Sequence, residues 1–97
     1  MFKKVDFSVK KLARGEYDNC TFIDCIFSNV NLSDYTFTEC EFDTCNLGLA
    51  KFKNTSLKDV AFKNCKLLGI HFHECDTFLL TLNFAECDLN LASFYKL

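Results

Sequence analysis

Large apolar residues recur at every fifth position of this sequence. Phe2, Phe7, Leu12, Tyr17, Phe22, Phe27, Leu32, Phe37, Phe42, Leu47, Phe52, Leu57, Phe62, Leu67 and Phe72 form an unbroken run. A helix repeats near 3.6 residues and a strand at 2, so neither explains a step of five. A fixed repeat whose units cannot bury their own apolar face has to stack those units on one another. Two residues before the centres sits a second, mostly smaller group, including Val5, Cys20, Cys25, Val30, Cys40, Cys45, Ala50, Thr55, Val60 and Cys65. Extended backbone sends residues i and i+2 to the same side. Each unit of five therefore reads as a short extended segment with two inward side chains, followed by a polar turn.

The units VNLSD (30–34), CEFDT (40–44), CNLGL (45–49) and CDLNL (87–91) resemble the pentapeptide-repeat family, whose loose motif is a small residue, Asp or Asn, Leu or Phe, then two polar residues. The resemblance covers almost the whole chain. It implies an all-β fold, a right-handed quadrilateral β-helix in which four units make one square coil of twenty residues. One domain over residues 1–97, with four to five coils, is expected. Residues twenty apart then stack, so Phe2, Phe22, Phe42 and Phe62 form one column and Leu12, Leu32, Phe52 and Phe72 another. Eleven of the twelve phenylalanines fall at centres, Phe78 being the exception, which assigns the aromatic content to the core rather than to a binding surface.

All seven cysteines occupy the small slot: Cys20, Cys25, Cys40, Cys45, Cys65, Cys75 and Cys87. They read as small buried hydrophobes. Disulfides between coils are not expected, because parallel Cβ vectors about 4.8 Å apart exceed the spacing that a disulfide prefers. The N-terminus, Met1 to Asp6, has no apolar leader region, and no stretch approaches the length of a membrane span. A soluble, cytoplasmic protein with no membrane contact is the expectation.

After Phe72 the step breaks. Thr77 holds the next in-step position, while Leu79, Phe84, Leu89 and Phe94 resume the period two residues later. The segment CDTFLLTLNF thus carries a two-residue insertion, with a register shift at 73–79. Leu79 is expected as a centre, with Phe78 and Leu80 outward. Because insertions in solenoids often serve partners, Thr77, Phe78, Leu79 and Leu80 are a candidate contact. The quinolone-resistance subgroup of the family has a similar interruption, and LGIHFHEC (68–75) is similar to that stretch. Members of the subgroup are longer, pair through a C-terminal segment and mimic duplex DNA to bind gyrase or topoisomerase IV. The resemblance therefore implies a protein partner, a type II topoisomerase, and no direct contact with nucleic acid. Leu97 is the small slot of a unit without a centre, which predicts an incomplete C-terminal end and a homodimer through it.

The chain has three glycines, no proline and neither GxxxxGK[ST] nor GxGxxG, so no loop is suited to cradling a nucleotide phosphate. Inward thiols lack the exposure that a nucleophile needs. No catalytic residue and no cofactor are expected. His71 and His73 flank Phe72 on the outward side, with Glu74 and Asp76 nearby, and imidazoles two residues apart on one face can share a zinc or nickel ion. Cys75 belongs to the inward set, so the pair reads as surface histidines with metal binding as the weaker alternative.

A net charge of -2 offers no overall positive surface for phosphates. Between Gly15 and Ala50, however, lie Glu16, Asp18, Asp24, Asp34, Glu39, Glu41 and Asp43, with no lysine or arginine among them. This acidic belt is the candidate surface for a partner with a cationic DNA-binding groove. The units centred on Phe7, Phe27, Leu47 and Leu67 place Val9, Ile26, Leu49 and Leu68 at outward positions, a candidate apolar contact side. The leading reading is a non-enzymatic protein-binding scaffold that mimics DNA. The alternative is a structural or antidote-type interaction module with no topoisomerase contact.

Overall fold

The computed structural model describes residues 1–95. The expectation attached to Leu97 lies outside the described residues. The chain winds into a right-handed square β-helix of about four turns, with extents of 34 × 26 × 21 Å. Side one is a five-stranded parallel sheet, in the order β1 (Phe2–Lys3), β3 (Thr21–Ile23), β5 (Glu41–Asp43), β7 (Val60–Lys63) and β8 (Leu82–Ala85). Side four is a three-stranded parallel sheet of β2 (Glu16–Asp18), β4 (Thr36–Thr38) and β6 (Ser56–Lys58). Sides two and three are held by single bridges, Asp6 to Ile26 to Asn46 to Lys66 to Asp88 on side two, and Asn31 to Lys51 and His71 to Ser93 on side three.

The register is twenty residues, as the step of five predicts. Phe2 pairs with Phe22, Phe22 with Phe42, and Phe42 with Phe62. Their rings stack at 4.9, 4.8 and 5.1 Å between centroids, close to the spacing of paired strands. Neighbouring columns meet edge to face, as Phe37 and Phe42 do at 5.5 Å. These are the two geometries that the aromatic quadrupole favours.

The small slot has its own rule. The buried Thr55 hydroxyl donates to the carbonyl of Leu32 at 2.6 Å, and the thiols of Cys40, Cys45 and Cys65 donate to Tyr17, Phe22 and Phe42 at 3.1–3.3 Å. Each acceptor lies 23 residues earlier, on the coil before. Tyr35 reaches the Leu12 carbonyl in the same way. A small donor in this slot therefore satisfies its own polar atom while filling the core. All seven cysteines are free thiols.

The corners explain the polar remainder of each unit. The residue two after a centre adopts a left-handed conformation: Asn19, Asp24, Asn29, Asp34, Asn54, Asp59 and Asn64 have φ between 52 and 67°. Asn and Asp tolerate this region better than other non-glycine residues. Glu39, Thr44 and Leu49 adopt it as well.

The insertion differs from the sequence expectation. Asp76 still bridges Ser56 at the twenty-residue register, whereas Leu82 pairs with Val60 and Phe84 with Phe62, 22 residues on. The two extra residues therefore fall between Asp76 and Leu82. Leu79 is not a centre: it is 62% exposed at a left-handed corner with φ of 56°. Its corner keeps the five-residue step from Gly69, so Thr77 holds the centre position and the surplus is taken up afterwards. A turn closes from Leu80 N–H to the Thr77 carbonyl at 3.3 Å, and Thr81 N–H then reaches Leu57 at 3.0 Å. Phe78 is exposed, as expected, but Leu80 packs against the core rather than pointing outward. One side earlier, Phe72–Glu74 form a 3-10 turn where the step calls for a left-handed corner.

Candidate functional site

The register decides where the belt lies. Glu16 and Asp18 stand on β2 of side four, Glu41 and Asp43 on β5 of side one, and Glu39 at the corner between these sides. Asp24 and Asp34 occupy the two corners that bound them. All seven carboxylates thus face two adjacent sides of the square, not its whole circumference. Side three carries Lys11, Lys51, Lys53, His71 and His73 and, among the described residues, no carboxylate on its two outward rows. The belt carboxylates thus lie apart from side three, while Lys3, Lys58 and Lys63 share the strands of sides one and four, a distribution that a linear count of charges does not reveal.

Not every belt residue needs a partner to explain it. Asp24 and Asp34 meet the backbone demand of their corners, and Arg14 lies 3.9 Å from Asp34. Glu41 pairs with Lys63 of the next coil at 3.0 Å, a hydrogen bond that holds the Lys63 ammonium above its ordinary pKa. Asp43 accepts from the Thr44 hydroxyl at 2.9 Å. Glu16, Asp18 and Glu39 stand exposed, and the fold demands an acid at none of them.

The apolar side is gathered in part. Leu49 and Leu68 lie on successive coils where side two turns into side three, joined by the Leu49 N–H to Leu68 carbonyl hydrogen bond at 2.8 Å. A Cβ added to Gly69 would lie 2.7 Å from Leu49 Cδ2, and one added to Gly48 would lie 4.0 Å from the Leu68 Cβ. Leu91 is at the same corner one coil further and is 83% exposed. Val9 is separated from Leu49 by the coil of Asn29, and Ile26 belongs to the middle of side two. The insertion loop sets Phe78 over the Lys58 ammonium, 5.8 Å from ring centroid to Nζ, within cation–π range.

The histidines flank the 3-10 turn. Their rings stack with centroids 5.4 Å apart, and Glu74 Oε1 lies 3.7 Å from His71 Nδ1. His73 Nδ1 is shut off from solvent with no hydrogen-bond partner, an arrangement that costs about 1–3 kcal/mol. The thiols offer no such chemistry. Burial pushes the Cys75 pKa up to about 12, with Glu74 and Asp76 adding to it, and raises Cys40 and Cys87 as well. Two open grooves on side three share Asn29, Asn31 and Ser33. Among the described residues no helix is long and apolar enough to cross a membrane.

Residues 15–94 match the family model described as a pentapeptide repeat region. No curated protein matches the chain significantly. Among solved structures, two trypsin-treated variants of QnrB1, described as a plasmid-mediated fluoroquinolone resistance protein, are similar to it with a TM-score of 0.50 and 20% identity, over 94% of this chain and 54% of theirs. Full-length QnrB1 gives 0.47 and 19%, over 94% of this chain and 56% of that one. The chain thus spans about half the length of these structures, and the likeness is one of fold.

Proposed function

This chain belongs to the pentapeptide-repeat family, and on that premise we propose that it is a non-enzymatic, cytoplasmic scaffold that lays sides four and one against a cationic DNA-binding groove of a partner protein. The partner is a type II topoisomerase, DNA gyrase or topoisomerase IV, with the chain standing in for the duplex and protecting the enzyme from fluoroquinolones. The observation that carries this reading is the placement of the belt: Glu16, Asp18, Glu39, Glu41 and Asp43 gather on two adjoining sides. Such a face steers toward a positive groove, while lysine-rich side three turns away from it. The shared fold with a fluoroquinolone resistance protein suggests which cationic groove to test first.

The experiment is a gyrase supercoiling assay with and without a fluoroquinolone, repeated with Glu39, Glu41 and Asp43 replaced by lysine. Protection or inhibition by the parent chain, lost in the triple variant and weakened by salt, is the expected result. No effect from a folded protein would discard the topoisomerase, and an equal effect from the triple variant would discard the acidic sides. A homodimer through the C-terminal end belongs to the same proposal, with β8 outermost in its sheet. Sedimentation equilibrium that fits a monomer at high concentration would remove it. The second reading, an interaction module without topoisomerase contact, is favoured by the exposure of Leu49 and Leu68 on successive coils. It predicts partner binding that is lost on replacing these two by serine and is indifferent to the acidic sides.

A further inference from the structure

We propose that His71, His73 and Glu74 form a binding site for a divalent transition-metal ion of the zinc, nickel and copper class, where side three meets side four. Two independent observations carry it. The first is assembly: one ligand atom from each of the three residues lies within 4.8 Å of the others. The second is the unpartnered His73 Nδ1, closed to solvent beside them.

The backbone explains why the donors converge here. At a regular corner the residue two after the centre takes a left-handed conformation. Here the 3-10 turn bends Glu74 back instead, with Glu74 N–H on the His71 carbonyl and Cys75 N–H on the Phe72 carbonyl, both at 3.1 Å. Glu74 is thereby set three residues from His71, on its own face. The segment is anchored at both ends. Phe72 and Cys75 are buried, His71 bridges Ser93, and His73 N–H reaches the Ser93 carbonyl at 3.3 Å. Two imidazoles and a carboxylate form a donor set suited to borderline metals, and solvent can complete the coordination.

The separations are close to what an ion needs. Zinc with nitrogen and oxygen donors at about 2.0–2.1 Å places neighbouring donors about 3.3 Å apart. The His71–Glu74 distance of 3.7 Å already approaches that value. His71 and Glu74 are exposed, so the remaining closure is a rotamer adjustment and not a rearrangement of the coil. The bound ion would also hold the 3-10 turn in its folded conformation, which links metal binding to stability.

The test is calorimetric titration of Zn²⁺ and Ni²⁺ into protein purified without a histidine tag, with Co²⁺ spectra to identify the donors. One equivalent bound, a raised melting temperature with metal, and a Co²⁺ spectrum without thiolate charge transfer are expected. His71→Ala and His73→Ala should each weaken binding by at least about tenfold, the order seen when a group that supports a metal site is lost. Absence of saturable binding by the parent protein would overturn the proposal whatever the variants do. So would unchanged binding in the His71→Ala/His73→Ala protein, or a thiolate band that moves the ion to a cysteine such as Cys20 or Cys87.

Discussion

The rings of Phe62 and Phe84 stack at 5.7 Å although 22 residues separate them, two more than separate Phe22 from Phe42 at 4.8 Å. The core column therefore continues across the insertion, and the surplus is carried by the loop after Asp76. Deleting Thr77 and Phe78 should restore an unbroken step of five and seat Leu79 over Leu57 as a centre. Leu79, now 62% exposed, would be buried, a gain of about 1.5–3 kcal/mol offset in part by lost packing of Leu80. The expected result is a melting temperature higher by about 4–8 °C, equivalent to roughly 1 kcal/mol for a domain of this size. A lower melting temperature would show that the loop itself supports the fold.

Phe42 lies in the middle of its column with four rings packed around it. It stacks on Phe22 and Phe62 and meets Phe27 and Phe37 edge to face at 5.7 and 5.5 Å. Coils above and below prevent collapse into the gap, so Phe42→Ala should cost about 3–5 kcal/mol. That is most of the stability of a small domain. Urea unfolding of this variant should show a greatly reduced midpoint or no folded baseline. Phe78→Ala, at an exposed ring, should shift the midpoint little.

The centres and the small slots were legible because burial alone sets their spacing, and the stacked columns follow from twenty residues per coil. The corners were not. Asn and Asp two residues after a centre look like any solvated polar residue, yet Asp24, Asn29, Asp34, Asn54, Asp59 and Asn64 are there to take a left-handed backbone. That spacing was the available signal, and it would have marked two of the seven belt acids as structural. Leu79 was misplaced for a related reason: counting apolar residues finds a centre, but the backbone keeps its corner in step and leaves Thr77 at the centre. The sidedness of the belt needs the register as well as the sequence. Glu74 stands next to the two histidines in sequence, but the 3-10 turn that brings its carboxylate within 3.7 Å of His71 is not announced by the five-residue step.

Gly69 and Leu49 are coupled across one coil. Gly69 has φ of 67°, and a Cβ there would meet Leu49 Cδ2 at 2.7 Å. Gly69→Ala should therefore cost about 1–3 kcal/mol, from left-handed strain together with the clash. Leu49→Ala should relieve only the clash, so a double-mutant cycle is expected to return part of the loss and not all of it. Gly15→Ala, where nothing lies within 4 Å, is the control and should be neutral. Full additivity in the cycle would mean that Leu49 moves aside freely.

Alkaline pH should weaken the fold through its buried thiols. Burial raises the Cys75 pKa from 9.0 to about 12, with Glu74 and Asp76 contributing, and Cys40 and Cys87 shift in the same direction through burial. Below about pH 9 these thiols are protonated whether the chain is folded or not, and their contribution is complete. Between about pH 9 and 12 the unfolded Cys75 releases its proton while the folded one keeps it, so stability falls with a slope of up to about 1.4 kcal/mol per pH unit for that group. Other groups titrate there too, and the informative quantity is the gap between the parent and Cys75→Ala in urea midpoints. The parent loses stability that the variant cannot lose, so the difference parent minus variant should fall by roughly 1.4 kcal/mol from about pH 8 to about pH 10. A constant difference over that range would place Cys75 in contact with water in the native state.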